Sequence, residues 1–256
     1  MYFDTHAHYY DDSFDADRDQ LLAGLPARDV ELVLCPGVDL DTSRFCVSMA
    51  EKHPHVYAAV GCHPEDLDGV DLSVLTQLES MARHPKVKAI GEIGLDYYWE
   101  KDSEKRAKQR DFFDAQLDLA RRLDLPAIVH DREAHKDSLD ITRAHRDTRG
   151  VFHCYSGSEE DAKVLVSLGW MLSFTGAVTF KNARRALEVI AWLPLEHIMI
   201  ETDAPYMAPE PYRGKRCDSG YVFRVAQTIA QVKGLTTPEV APILLANSKR
   251  FFHIAD

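Results

Sequence analysis

Two histidines one residue apart, in Asp4-Thr5-His6-Ala7-His8, are the first residues of this chain able to do chemistry together. In an extended segment side chains repeat every second residue, so His6 and His8 share a face and their ring nitrogens can converge on one metal ion. Asp4 has the same parity, where a carboxylate can orient a ligating ring from behind. Further metal-competent residues follow at Glu92, His130, His153 and Asp203. Imidazole and carboxylate ligands suit zinc or manganese, whereas magnesium favours more oxygen. The expected centre therefore holds two divalent ions (Zn, Mn or Mg), with His6, His8 and Asp203 on one, His130 and His153 on the other, and Glu92 as the bridge. Two ions roughly 3.5–4 Å apart can keep a water between them, lower its pKa and clamp the oxygens of a displacement. Asp203 could take the proton of that water, which makes Asp203 and Glu92 the expected catalytic carboxylates.

For these residues to meet, the chain must bring distant segments to one place. Short apolar or β-branched runs alternate with helical patterns throughout. The predicted strands are Tyr2 to His6, Val30 to Cys35, Val56 to Cys62, Val87 to Gly94, Ala127 to His130, Val151 to Tyr155, Met171 to Gly176 and Ile198 to Asp203. Between them the apolar spacing predicts helices over Phe14–Leu25, Leu40–His53, Leu72–Arg83, Glu104–Leu123, Ala134–His145, Glu159–Leu168 and Ala183–Leu193, followed by Val222–Lys233 and a C-terminal capping helix, Pro238–Phe251. Strands alternating with helices imply a parallel sheet, and eight strands close a (β/α)8 TIM barrel in one domain, residues 1–256. Chemistry in such barrels sits at the C-terminal ends of the strands. By that criterion all six expected ligands, and His63 in Cys62-His63-Pro64, lie on the functional rim. His53, His55, His84, His135, His145, His197 and His253 do not, and are read as solvated or internally satisfied.

The surroundings suggest further roles. Glu201 shares a face with Asp203 one layer deeper, as an orienter of a ligand or as a charge satisfied inside the barrel. Cys154 alternates away from His153 and is expected to face the helices, which argues against a nucleophile. His63 could donate to a substrate oxygen. The long segment after the eighth strand carries Arg213, Lys215 and Arg216, donors that a phosphate-bearing substrate would find useful. His63, Arg213 and Lys215 are thus the expected substrate-binding residues. Tyr97, Tyr98 and Trp99 follow the fourth strand, where rings either stack on a base or pack together as a rim cluster.

Composition narrows the classes. A net charge of -11 argues against duplex DNA binding through an all-over basic surface. It leaves a nuclease open, because two divalent ions between two carboxylates give a local formal charge of roughly +2. Mean hydropathy is -0.28, no apolar run approaches a membrane span, and the opening MYFDTHAHYYDD lacks a secretory pattern, so a cytoplasmic location is expected. Five scattered cysteines without a Cys-x-x-Cys pair predict reduced, mostly buried thiols rather than a disulfide framework or thiolate zinc site.

DTHAH, GCHP, AIGEIGLDYYW, IVHDREA, FHCYSG, IETDAPY, RGK and the closing AN-x-x-x-FF together resemble the TatD-type metal-dependent deoxyribonucleases of the amidohydrolase-like barrel group. The resemblance spans nearly the whole chain and implies a (β/α)8 barrel, a divalent metal centre and 3′-to-5′ exonuclease activity on single-stranded DNA, sometimes RNA. The family's metal positions fall on His6, His8, Glu92, His130, His153 and Asp203, and its His-Pro motif on His63-Pro64. Two departures stand near the expected pocket mouth: Cys217-Asp218-Ser219 replaces the family's Asn-Glu-Pro, and Tyr9-Tyr10 replaces Leu-Asp. The expected partner is a single-stranded DNA or oligonucleotide substrate, with no membrane and an oligomeric state compatible with a monomer. The same centre would also serve an amide, lactone or phosphotriester hydrolase, since a barrel does not choose its substrate. A non-catalytic nucleic-acid scaffold is the remaining alternative.

Overall fold

The computed structural model describes residues 1–255. Eight strands form one sheet in sequential order: β1 (Tyr2–Asp4), β2 (Val30–Pro36), β3 (Val56–Val60), β4 (Val87–Asp96), β5 (Ala127–Arg132), β6 (Gly150–Phe152), β7 (Met171–Phe174) and β8 (Ile198–Ile200). Every neighbouring pair is parallel. The first and last strands meet just beyond their ends, where Thr5 N donates to Ile200 O (3.2 Å), Asp203 N to His6 O (2.9 Å) and His8 N to Ala204 O (2.7 Å). The chain is therefore a single (β/α)8 barrel.

Helices α1 (Arg18–Gly24), α2 (Leu40–Lys52), α3 (Val74–Ala82), α4 (Ser103–Leu123), α5 (His135–Ala144), α6 (Glu159–Ser167), α7 (Arg184–Trp192), α8 (Val222–Lys233) and α9 (Thr237–Phe251) make the connections and the cap. Their starts follow local chemistry: Asp39 with Thr42, Ser158 with Asp161 and Thr236 with Glu239 form reciprocal capping boxes. Asp102 caps α4 by accepting from the amides of Glu104 and Lys105.

Two buried clusters divide the core. The larger lies between sheet and helices. The smaller takes one inward-facing set from the strands, Phe3, Leu34, Ala59, Ala89, Ile128, Val151, Met171 and Met199, and seals it with Phe251, Phe252 and Ile254. The rings of Phe3 and Phe252 meet at a 48° tilt with centroids 5.7 Å apart, so the end of α9 plugs the N-terminal mouth of the barrel and leaves the other mouth for chemistry. No helix among the described residues is long and apolar enough to cross a membrane.

β1, β6 and β8 are shorter than the apolar pattern predicts, because their last residues leave the ladder to enter the rim. His6, His153 and Asp203 thus lie past the strand ends, whereas β4 and β5 run on beyond Gly94 and His130 to Asp96 and Arg132.

Candidate metal centre

The open mouth is a cleft of about 1240 Å³ in which His8, His63, Glu92, His130, His153 and Asp203 are exposed to a common space. His6 lies beneath them, fully buried. Its Nε2 stands 3.1 Å from His8 Nε2 and 3.1 Å from Glu92 Oε2, and His8 Nε2 stands 3.2 Å from Asp203 Oδ1. Around the other oxygen of the same carboxylate, Glu92 Oε1 lies 2.8 Å from His153 Nε2, 3.1 Å from His130 Nδ1 and 3.5 Å from His63 Nε2. Glu92 therefore presents one oxygen to each of two donor sets.

Donors bound about 2.0–2.2 Å from one ion stand roughly 3.0–3.5 Å from each other. Most separations within each set fall close to that spacing, with His153–Glu92 shorter at 2.8 Å and His6–Asp203 longer at 3.9 Å, and the ligand types suit a divalent ion. Residues His6, His8 and Asp203 have donor atoms close enough to share an ion, as do His63, Glu92 and His130. His63 thus stands with the ligand-type residues around Glu92, in addition to facing the cleft. A further grouping, Glu65, Asp96 and His130, adjoins the second set.

The charges reinforce one another. Burial alone would raise the Glu92 carboxyl, but His153, His6 and His63 and the hydrogen bond with His130 hold it well below the usual carboxylate range. Burial is likewise outweighed at Asp203, whose carboxyl is kept low chiefly by His8. His130 is pushed up to about 9, since its bonds to Asp96 and Glu92 overcome the cost of burial. Burial lowers His6 and His63 below the ordinary histidine value.

The supporting residues come from several elements. On β4, Glu92, Gly94 and Asp96 share one parity, and Asp96 Oδ2 meets His130 Nε2 at 2.9 Å. Asp96 escapes the sequence pattern because β4 is predicted to stop at Gly94, although continued alternation from Glu92 reaches it. Glu201 accepts from Cys154 N (2.6 Å) and Ser173 Oγ (2.7 Å) and lies 3.4 Å from His153 Nδ1, so it is both satisfied in the barrel and placed behind a ring. Asp4 orients no imidazole. It accepts from Thr202 N (2.8 Å) and Thr202 Oγ1 (2.5 Å), tying β1 to the turn that delivers Asp203.

Other expectations change with the tertiary structure. Cys154 lines the cleft instead of facing the helices, because its φ of 45° breaks the alternation. Burial pushes its thiol up to about 12, which still disfavours a nucleophile. Arg213 lies over the Phe180 ring at 4.4 Å, and neither Arg213 nor Lys215 lines the cleft. Arg216 is bound to Asp17 (2.6 Å) and to Ser13 O (2.7 Å). Cys217 and Ser219 are buried, and Ser219 Oγ accepts from Tyr9 OH at 2.8 Å. Residues 217–219 thus anchor their loop to the residue after the histidine pair and do not form the pocket mouth, whereas Tyr10 lines the cleft. Arg132 at the end of β5, Arg185 in the first turn of α7, and Tyr206 and Phe180 in irregular segments also line it without having been singled out, since no periodicity marks a lone residue at an element's end or in a loop. Of the histidines set aside, His53 pairs with Asp19 (3.0 Å), His84 with Glu51 (3.1 Å), His135 with Asp131 (2.7 Å) and His145 with Asp114 (2.8 Å), while His55 and His197 bond backbone carbonyls.

A barrel with histidines and carboxylates gathered at the C-terminal rim is the frame of a metal-dependent hydrolase. Residues 3–253 match the family described as TatD related DNase. The chain is 38% identical to the uncharacterized metal-dependent hydrolase YabD of Bacillus subtilis, over 99% of this chain and 100% of that protein. It is 35% identical to YcfH of Escherichia coli K12, likewise described as an uncharacterized metal-dependent hydrolase, over 98% and 95% of the two chains. The crystal structure of YjjV, a TatD homologue from Escherichia coli, superposes with a TM-score of 0.91 at 32% identity, covering 99% of this chain and 98% of that one. The chain belongs to the TatD family.

Proposed function

We propose that this chain is a phosphodiesterase that removes nucleotides from the 3′ end of single-stranded DNA. The observation that carries this reading is the Glu92 carboxylate, whose two oxygens, one 3.1 Å from His6 Nε2 and the other 2.8 Å from His153 Nε2, face separate donor sets at the floor of an open cleft. His6, His8 and Asp203 would hold one divalent ion and His130 and His153 the other, with Glu92 shared. Ions held there supply positive charge for a phosphodiester and make a nucleophile of water at neutral pH.

The chain's own groups do the rest. Asp203, kept ionised beside His8, is the base that takes a proton from the attacking water. His63 Nδ1 accepts from Glu65 N at 3.2 Å, which leaves the proton of the neutral ring on Nε2, the atom that faces the cleft floor. From there it can donate to a phosphoryl oxygen as charge develops. Asp96 fixes the tautomer and rotation of His130, and Glu201 stands in the corresponding position behind His153.

The test is Glu92→Ala, compared with the wild type by metal analysis and by cleavage of an end-labelled single-stranded oligonucleotide. The variant should lose at least one ion per chain and all turnover while keeping its circular dichroism spectrum. Unchanged metal content and rate would remove Glu92 from the centre. Running a dihydropyrimidine-like amide and a lactone beside the oligonucleotide separates a nuclease from another hydrolase using the same site.

A further inference from the structure

The cleft extends past the metal-competent residues into a rim that those residues do not explain. Trp99 is 62% exposed and Tyr98 is 45% exposed, and the two rings meet edge to face at 4.8 Å. Arg132, from the end of β5, sets its guanidinium 4.0 Å from the Tyr98 ring centre and 5.6 Å from that of Trp99. Both Trp99 and Arg132 line the cleft. Their position is rigidly coupled to the centre, because the buried Asp96 receives Trp99 N on Oδ1 (2.8 Å) and meets His130 Nε2 through Oδ2 (2.9 Å). One carboxylate therefore holds both a candidate ligand and the root of an exposed aromatic platform.

Cationic groups line the same cleft. In this acidic chain most arginines are engaged by carboxylates, including Arg184, which binds Glu188 at 2.8 Å in the cleft wall. Arg132 and Arg185, both lining the cleft, have no carboxylate within ion-pair distance among the described residues. Arg132 comes from β5 and Arg185 from α7, so they reach the cleft from different parts of the barrel. An exposed indole sharing a cleft with guanidinium groups that form no close ion pair is what an unstacked base and its phosphates require.

We propose that Trp99, Arg132 and Arg185 form a subsite for the nucleotide next to the one being removed. The base stacks on the indole of Trp99, while Arg132 and Arg185 take phosphates of the same strand. A base held in a duplex cannot present its face to Trp99, so this subsite selects unpaired ends. The assignment rests on the nuclease reading and names the substrate contact that the metal-competent residues alone do not supply.

The experiment measures binding of phosphorothioate-linked thymidine oligonucleotides, one to six nucleotides long, to the manganese-treated protein. Quenching of tryptophan fluorescence in a Trp192→Phe background and polarisation of a 5′-labelled strand are the two readouts. The wild type should show indole quenching and a gain in affinity on going from one nucleotide to two or three. Trp99→Ala should lose about 5- to 150-fold for the longer strands and flatten that length dependence, while Trp99→Phe keeps most of it. Arg132→Ala and Arg185→Ala should each lower the slope of log affinity against log salt by about 0.7. Equal affinities of wild type and Trp99→Ala, with oligonucleotide cleavage intact in the wild type, would overturn the subsite and leave the nuclease reading standing. Trp99-dependent binding without cleavage would overturn both the nuclease reading and the subsite as placed next to a nucleotide being removed, leaving Trp99 as a stacking contact only. A wild type that neither binds nor cleaves any strand overturns both.

Discussion

His130 shows how one residue couples the centre to solution conditions. Its Nε2 is committed to Asp96 at 2.9 Å, so Nδ1, 3.1 Å from Glu92, is the nitrogen left for a ligand. Without an ion the ring is pushed up to about 9, because Asp96 and Glu92 outweigh burial, and at neutral pH it carries the second proton. That proton must leave before Nδ1 can coordinate, so metal affinity should rise with pH above neutrality and binding should release protons. Calorimetry at pH 7 in buffers of different ionisation enthalpy should register proton release on metal binding, and a buffer-independent heat would contradict the assignment. The ion-free protein has the opposite dependence. A raised histidine stabilises the fold fully below its ordinary value of about 6.5, and that contribution fades as pH climbs through about 9. A melting temperature of the chelated protein that rises across this window would oppose the expected sign.

At the scale of elements, the contact between β4 and β5 decides whether Glu92, Asp96 and His130 meet. Gly94 has φ of +136°, and a Cβ placed there would lie 2.0 Å from the His130 carbonyl oxygen. No side chain fits without parting the strands. Gly94→Ala should therefore cost at least about 2 kcal/mol through backbone strain and overpacking. Denaturant melts should show the loss, and titration should show weaker metal binding than in the wild type, because His130 moves with its backbone. A variant with unchanged stability and metal affinity would mean that the strands yield freely here. The same elements explain why strand parity fails at the rim. Cys154 (φ 45°) and Asp203 (φ 58°) lie beyond the ladder, where no neighbouring strand enforces the two-residue alternation.

For the whole molecule, the division of labour between the two mouths matters. The plug of Phe251, Phe252 and Ile254 closes one end with apolar contacts that need no ion, while buried carboxylates and histidines crowd the other. The barrel should stay folded under chelation and gain stability from metal by mass action. An ion at 100 times its dissociation constant adds about 2.7 kcal/mol. For a domain of this size that corresponds to a rise in melting temperature of about 5–10 °C. Thermal scans with EDTA and with manganese should differ by that amount, and coincident curves would argue against an ion at this mouth.

Much of this organisation was legible from residue order alone. The alternation of apolar runs with helical patterns specifies a parallel sheet, because such runs can bury both faces only beneath helices, and their number closes the barrel. The rim rule then singled out His6, His8, Glu92, His130, His153 and Asp203, which the fold draws together around one carboxylate. Other features depend on packing between distant segments and so leave no periodic trace. Asp96 reached His130 only through the extended β4 and the close approach at Gly94. Asp4 went to Thr202, Cys154 turned into the cleft, and Arg216 was drawn to Asp17, because side chains in irregular segments satisfy the nearest partner in space rather than in sequence.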